Sequence, residues 1–478
     1  MYKSIKKNFI YNMIYEVLIL AVPLVTTPYI SRVLGVENIG IYNYVTANIT
    51  YFTLIAAFGS TTYAQREIAI CRDKEKLSEE FWGVLLFRVC SSLIAILSLI
   101  VFCLITDKYR VYYLICSISI ISVIVDISWF FQGQENFKVT VARNIIIKVV
   151  ATLLIFIFVK KPDDLILYFL ISVCSVFLGS LSLWHFIRGQ VQKVEISKLN
   201  FKKHFFGSLK LFIPVLAIQV YTVVDKTMLG ILSNVTEVGY YSQPEKLVKL
   251  LVTVIDSLAI VLLPRLSSLI GNNKIEEAKT IFKKAVSSSV LIALPCVIGC
   301  IVVSDDLIPV FLGDGYDPSI NVLRILSFLI IILGIARVIG TPLLIPLKRE
   351  KKYTIAVCMG AIVNLCLNYF LIPVIGAIGA AIATIAAEGC VTILQMYYVS
   401  DVFSYKTILK SVLHYLPHSI VMLLIILFVK RIIPDIYIRL IASIVAGVIV
   451  YIGLLIFTKD AFFKENILNS ILGKISHK

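Results

Sequence analysis

The chain has 478 residues, of which 59% are hydrophobic and only 15% charged, and it carries a formal net charge of +16. Its mean hydropathy of +0.93 lies far outside the soluble globular range, where apolar residues make up about 45–50% and charged ones about 25%. A soluble enzyme and a nucleic-acid-binding domain are thereby excluded, and the basic excess reads as cationic loops against anionic lipid.

In chain order, Lys3, Lys6 and Lys7 precede an apolar run that is too long for a signal peptide and lacks a small-residue cleavage site. It therefore reads as a retained first span. Runs of spanning length fall at 8–30, 41–64, 81–105, 110–131, 139–159, 164–187, 207–232 and 243–265. They continue at 286–304, 321–346, 353–372, 375–398, 411–429 and 435–457. The expected fold is an all-α membrane protein of about fourteen transmembrane helices. Both termini then share one side, and the loops on that side hold most of the Lys and Arg. Arg66/Arg72/Lys74/Lys76, Lys198/Lys202/Lys203, Lys274/Lys279/Lys283/Lys284 and Lys348/Arg349/Lys351/Lys352 all belong to it. The positive-inside bias places both termini in the cytoplasm.

No loop is long enough to fold as a domain, and no GxxxxGK[ST] stretch offers an ATP site. Ten cysteines are scattered through apolar runs without a CxxC, as reduced core residues would be. His414 and His418 are spaced as two metal ligands could be, but Pro417 intervenes and no third ligand joins them; the expectation is no metal.

An internal repeat organises the chain. Gly40, Tyr42 and Arg66 recur as Gly239, Tyr241 and Arg265 at a constant offset of about 199 residues. Pro23 is matched less strictly by Pro214. Six spans separate the copies, so both insert with the same orientation. Two parallel six-helix bundles around a central cavity follow, with two extra C-terminal helices. The expected boundaries are 1–188 for the first bundle, 189–206 for a linker, 207–400 for the second bundle and 401–478 for the extra helices and tail.

Ionisable residues inside the spans are the main chemistry on offer, because each costs about 2.5–3.5 kcal/mol at a helix centre. Asp225 and Lys226 stand side by side in span 7, either as a mutually neutralised structural pair or as the lining of a wet path. Lys246 and Lys249 share a helical face, with Asp256 further along the same stripe. Arg88, Arg143 and Lys148 lie in the inner third of their spans beside Asp126, and Arg337 lies in span 10. Lys210, Arg324 and Arg439, near span ends, read as snorkelling to the headgroups. The buried excess is cationic, and a cationic cavity selects an anionic guest such as phosphate. Glu388, in mid-span, is a proton or sodium candidate or a hydrogen-bonded structural acid; Asp256 is a second ion-coupling candidate. Arg66 and Arg265, at matched span ends, are gate candidates, and Arg32 in the first turn is a further substrate contact. Pro23, Pro28, Pro214, Pro264, Pro295, Pro342 and Pro346 are expected to kink their spans.

These residues fall within motifs that resemble the polysaccharide-transport family of oligosaccharide flippases. Its superfamily also holds the multidrug extruders and the lipid II flippase. The matching pieces are Pro28-Tyr29…Arg32-Val33-Leu34-Gly35…Gly40-Ile41-Tyr42, then Arg66-Glu67, and Asp126-x-x-Trp129-x-Phe131-Gln132-Gly133-x-Glu135. Asp225-Lys226-x-Met228-Leu229-Gly230…Val238-Gly239-Tyr240-Tyr241…Glu245-Lys246 and Pro264-Arg265 complete the set. The resemblance implies a non-enzymatic flippase in the bacterial cytoplasmic membrane. Such a protein moves a polyprenyl-pyrophosphate-linked oligosaccharide to the outer leaflet by alternating access. It needs no cofactor beyond an ion gradient; its partners are the lipid-linked sugar, membrane lipid and polysaccharide assembly proteins, with no nucleic acid. A cation-coupled multidrug exporter and a membrane polysaccharide polymerase or ligase are the rival readings.

Overall fold

The computed structural model describes residues 2–71 and 73–464. Arg72 and the C-terminal tail lie outside the described residues, as do the side chains of residues 1–20 (Glu16 among them), Pro214 and residues 257–263. Every regular element among the described residues is helical. A chain this apolar must satisfy its backbone polar groups within each segment, and the helix does so without a partner strand.

Contacts divide the chain into two compact units at Gly239/Tyr240. The first opens with α1 (Tyr2–Ala57), which breaks at Gly35 (φ 76°, ψ 170°) and so supplies the first two spans. Only glycine reaches that backbone conformation without a Cβ penalty. After α2 (Ser60–Ile70) come α3 (Lys74–Ile105), α4 (Arg110–Val125), α5 (Ser128–Gly133), α6 (Phe137–Phe158), α7 (Leu165–Ser182) and α8 (Phe201–Leu232). Helix α3 starts where the Asp73 side chain accepts from the Lys76 amide at 3.4 Å. Helix α9 (Val235–Gly271) begins in the first unit and continues into the second.

The second unit adds α10 (Ile275–Leu312), α11 (Pro318–Leu326), α12 (Phe328–Ile339), α13 (Glu350–Val399), α14 (Lys406–Ile432) and α15 (Ile436–Phe457). Nine helices among the described residues are long and apolar enough to cross a membrane. One of these, α13, breaks at Ile375–Gly376 into the two expected spans. With the two arms of α1 and the more polar α8 and α9, fourteen membrane segments result.

Helix continues through Pro23, Pro28, Pro264 and Pro295, while the interruptions with non-helical backbone sit at Gly35 and at Ile375–Gly376. Proline does mark one irregular stretch, the π turn Gly340–Leu344 around Pro342. Helix α8, read from the sequence as the opening of the second bundle, packs in this structure against α1, α2 and α3 of the first unit.

Each unit has its own core. In the first, Trp129, Phe130 and Phe131 of α5 are fully buried with Tyr63, Phe81 and Leu183. The aromatic run that carries part of the family resemblance is thus a packing element. In the second, α14 and α15 pack on α10: Tyr451 donates to the Leu291 carbonyl at 2.9 Å, and Tyr415, Met422 and Leu455 join Leu294 in one cluster.

Candidate functional site

In the first unit Arg88, Asp126 and Arg143 gather where the α4 span breaks. Helix α4 ends at Val125 and α5 starts at Ser128, which leaves terminal carbonyls without helical partners. Arg88 of α3 supplies them. Its guanidinium donates to the carbonyls of Asp126 (2.8 Å) and Val123 (3.2 Å), and to the hydroxyls of Ser60 (2.8 Å) and Thr61 (2.7 Å). It also stands over the Trp129 ring at 5.5 Å. The indoles of Trp184 and Trp129 donate to the Val125 and Asp126 carbonyls at 2.8 and 2.9 Å. Arg88 is 1% exposed, so these donors face the chain and not an entering anion.

The Asp126 carboxylate accepts from the Ser128 hydroxyl at 2.8 Å and, at 3.4 Å, from Arg143. Arg143 also donates twice to Asn144, at 2.7 and 3.0 Å. Unlike Arg88, Arg143 keeps part of its surface open, as does Asp126. Lys148 is half-buried further along α6.

Asp225 is buried on α8 and Lys226 beside it is half-buried. Two residues on, Thr227 donates to Asn48 at 3.0 Å, Asn48 donates to the Tyr113 hydroxyl at 2.7 Å, and Tyr51 donates to Thr227 at 3.2 Å. This polar chain ties α8 to α1 and α4 next to the Asp225-Lys226 pair. Arg32 is exposed at the end of the first arm of α1. Arg66 is exposed, pairs with Glu67 at 3.2 Å and lies over Tyr63 at 5.9 Å. Glu67 also holds Lys203 at 3.2 Å, and Lys203 pairs with Glu80. The gate candidate therefore borders a cross-helix ionic cluster that the sequence, with its charges spread over α2, α3 and α8, did not reveal.

In the second unit Lys249 pairs with buried Glu245 at 2.5 Å, while Lys246 is half-buried one turn before it. Asp256 of α9 meets Arg337 of α12 at 2.9 Å, with both side chains partly exposed. Glu388 is half-buried on α13, and Arg265 is exposed on α9. The second unit also buries neutral polar pairs: Asn368 donates to Asn364 at 3.1 Å with both fully buried, and the Tyr241 and Thr384 hydroxyls lie 3.0 Å apart. None of these side chains carries a charge that would mark it in the sequence.

The snorkelling expected of Arg324 and Arg439 gives way to ion pairing. Arg439 donates to Asp306 at 2.6 and 3.0 Å, Lys430 lies 3.3 Å from the same carboxylate, and Arg324 pairs with Asp305. Asp306 is 1% exposed. The cluster binds α14 and α15 to α10, so the last two spans are built into the second unit. Lys210, by contrast, is exposed on α8.

The arrangement offers two kinds of basic group. Arg88 and Arg439 are held by several chain partners and fix helices. Arg143 and Arg337 each face one partly exposed carboxylate, which an anionic headgroup can replace by charge-assisted hydrogen bonding.

Comparison with known proteins agrees with the fold and extends it. Among solved structures, "Lipid II flippase MurJ, inward closed conformation" superposes with a TM-score of 0.72 at 17% identity, covering 95% of this chain and 99% of that one. An inward-facing multidrug resistance MATE family transporter gives 0.63 at 14% identity, over 80% of this chain and 93% of that one. At such identities the likeness is one of fold. A protein of Escherichia coli (strain K12) described as "Putative O-antigen transporter" is 26% identical over 404 residues, 83% of this chain and 97% of its own. A Haloferax volcanii protein described as "Probable low-salt glycan biosynthesis flippase Agl15" is 25% identical over 186 residues, 39% of each chain. The family model described as "Polysaccharide biosynthesis protein" matches residues 5–270. The chain belongs to that family.

Proposed function

We propose that this protein is a flippase that carries a polyprenyl-pyrophosphate-linked oligosaccharide across the membrane for surface polysaccharide assembly. The observation that carries the reading is similarity along most of the chain to a described O-antigen transporter. Partly open Arg–carboxylate pairs in each unit, Arg143–Asp126 and Arg337–Asp256, support it. Before substrate arrives, each acid neutralises its arginine in a low-dielectric setting. A pyrophosphate then takes the acid's place, so a strong cation is offered without leaving it bare in the empty protein.

The host membrane in this reading is the bacterial cytoplasmic membrane, with both termini on the inner face, as the lysine-rich loops support. The protein is a transporter and not an enzyme. Uphill bias comes from a proton or sodium gradient acting at Glu388 or Asp256, or from consumption of the product outside. One charge moving through 100 mV supplies about 2.3 kcal/mol, roughly a fifty-fold bias. Contact with polysaccharide assembly proteins belongs to the same reading.

The test is deletion of the gene followed by analysis of lipid-linked sugars. Repeat units should accumulate on the cytoplasmic leaflet while surface polymer is lost; normal polymer without trapped intermediate overturns the proposal. The likeness in fold to a multidrug transporter favours drug export as the second reading. Hypersensitivity of the deletion strain to cationic drugs, with surface polymer unchanged, would select it.

A further inference from the structure

Helices α6 and α7 of the first unit approach closely because α7 has a glycine at the contact. A Cβ on Gly179 would overlap the Ile147 side chain. Beside that contact runs a groove of about 550 Å³, within the range of roughly 300–1,000 Å³ usual for small-molecule sites. Ile146, Val150 and Leu154 of α6 and Leu178 of α7 form its walls, and Lys138 and Arg143 lie at one end. Ile146 is 62% and Leu178 60% exposed. The walls are thus large apolar surfaces that the first unit itself leaves uncovered.

Two features narrow the occupant. The charge sits at one end only: Lys138 is exposed and makes no ion pair among the described residues, and Arg143 is held by Asp126 at a long 3.4 Å. An anionic head joined to an apolar tail matches that polarity. Length is the second feature. From Lys138 to Leu154 the helix rises about 24 Å, whereas one leaflet of a bilayer core is about 15 Å deep. An ordinary acyl chain anchored at the lysine stops near the midplane; a long isoprenoid chain continues along the whole groove.

We infer that the α6–α7 groove binds the isoprenoid tail of a polyprenyl-phosphate lipid, with its phosphate at Lys138 and Arg143. The inference rests on the proposed function and names where the lipid portion of the substrate lies. The sugar is carried elsewhere, and the tail slides in contact with Val150 and Leu178.

The experiment uses the full chain in lipid nanodiscs with a diazirine-bearing polyprenyl monophosphate that has no sugar. A diazirine-bearing phosphatidylglycerol serves as the parallel probe. Polyprenyl adducts should map to residues 138–154 and 175–186. Lys138→Gln and Arg143→Gln should each lower labelling roughly fivefold, as loss of one cation near a lipid phosphate does. Val150→Trp, which fills the groove from α6, should abolish labelling at unchanged melting temperature, and Leu178→Trp gives the same test from α7. Equal labelling by both probes makes the groove a site for ordinary bilayer lipid and overturns the inference, as do adducts confined to other helices. An unlabelled groove in protein that flips lipid-linked sugar refutes the groove alone. A labelled groove in protein that flips no lipid-linked sugar refutes the proposed function alone.

Discussion

Gly40 lies against the turn that carries Gly239, so closely that a Cβ on Gly40 would overlap the Val235 carbonyl oxygen and come 3.1 Å from the Gly239 amide nitrogen. The contact is reciprocal, since a Cβ on Gly239 would overlap the Val36 carbonyl oxygen. The offset that relates Gly40 to Gly239 also relates Val36 to Val235. A contact in which each residue meets the repeat partner of the other's neighbour is the signature of a local two-fold axis. The glycines are therefore needed for close backbone approach, as in other membrane helix crossings. Gly40→Val and Gly239→Val should each destabilise the protein by roughly 1–3 kcal/mol, because backbone atoms cannot move aside as side chains do. A thermal melt in detergent checks this. Equal melting temperatures for both variants and the parent would contradict the contact.

Arg88 and Arg143 should separate stability from transport. Arg88→Gln leaves several buried carbonyls and hydroxyls without a donor, and the loss should be about 3–5 kcal/mol. Arg88→Lys should rescue little, because an ammonium cannot span the same four acceptors. Arg143→Gln removes one long ion pair and two hydrogen bonds to Asn144, so it should lower the melt less than Arg88→Gln does while transport falls. Paired melting and lipid-flipping assays on the three variants decide it; a transport defect at an intact melt for Arg88→Gln would reverse the assignment.

The Asp256–Arg337 pair predicts opposite effects from its two members. Removing the acid frees the cation, so Asp256→Asn should tighten binding of a pyrophosphate-bearing lipid about fivefold, the equivalent of about 1 kcal/mol for a half-exposed pair. Arg337→Gln should weaken it. Equilibrium binding to the reconstituted protein is the measurement. If Asp256→Asn and Arg337→Gln weaken binding alike, the pair is structural.

Asp306 holds the last two spans to α10. Asp306→Asn leaves Arg439 and Lys430 without their shared buried partner, at a cost of about 3–5 kcal/mol. Limited proteolysis should then cut first in the connection between α14 and α15. A cleavage pattern identical to the parent would show that apolar packing at Tyr415 and Tyr451 suffices.

A pH effect is expected at the loop pair Arg349–Asp401. Arg349 donates to both Asp401 oxygens at 2.6 Å and to the Tyr398 carbonyl at 2.6 Å. The hydrogen bonds from Arg349 hold the Asp401 carboxyl below its ordinary value. Its contribution is thus present above the unfolded-state value of about 3.9 and lost as pH falls through the lowered native one. Arg349→Gln should lower the neutral plateau of a stability–pH curve by no more than about 1 kcal/mol and flatten the acid limb below about pH 4 by the same amount, so that the two curves converge in acid. An unaltered acid limb would mean that the pair contributes nothing.

Hydropathy and spacing determined the number of spans, the split of α13 near Ile375–Gly376 and the repeat that pairs Gly40 with Gly239. These are legible because transfer into hydrocarbon acts on each segment by itself and a repeat is written along the chain. The fate of each buried charge was decided only by the tertiary structure. Arg88 caps the break after α4, Arg439 reaches Asp306 across 133 residues, and Thr227 in the first unit and Asn364 and Asn368 in the second make their hydrogen bonds without any charge to announce them. A buried ion's energy depends on which partner lies within a few ångströms, and linear order carries no record of that distance.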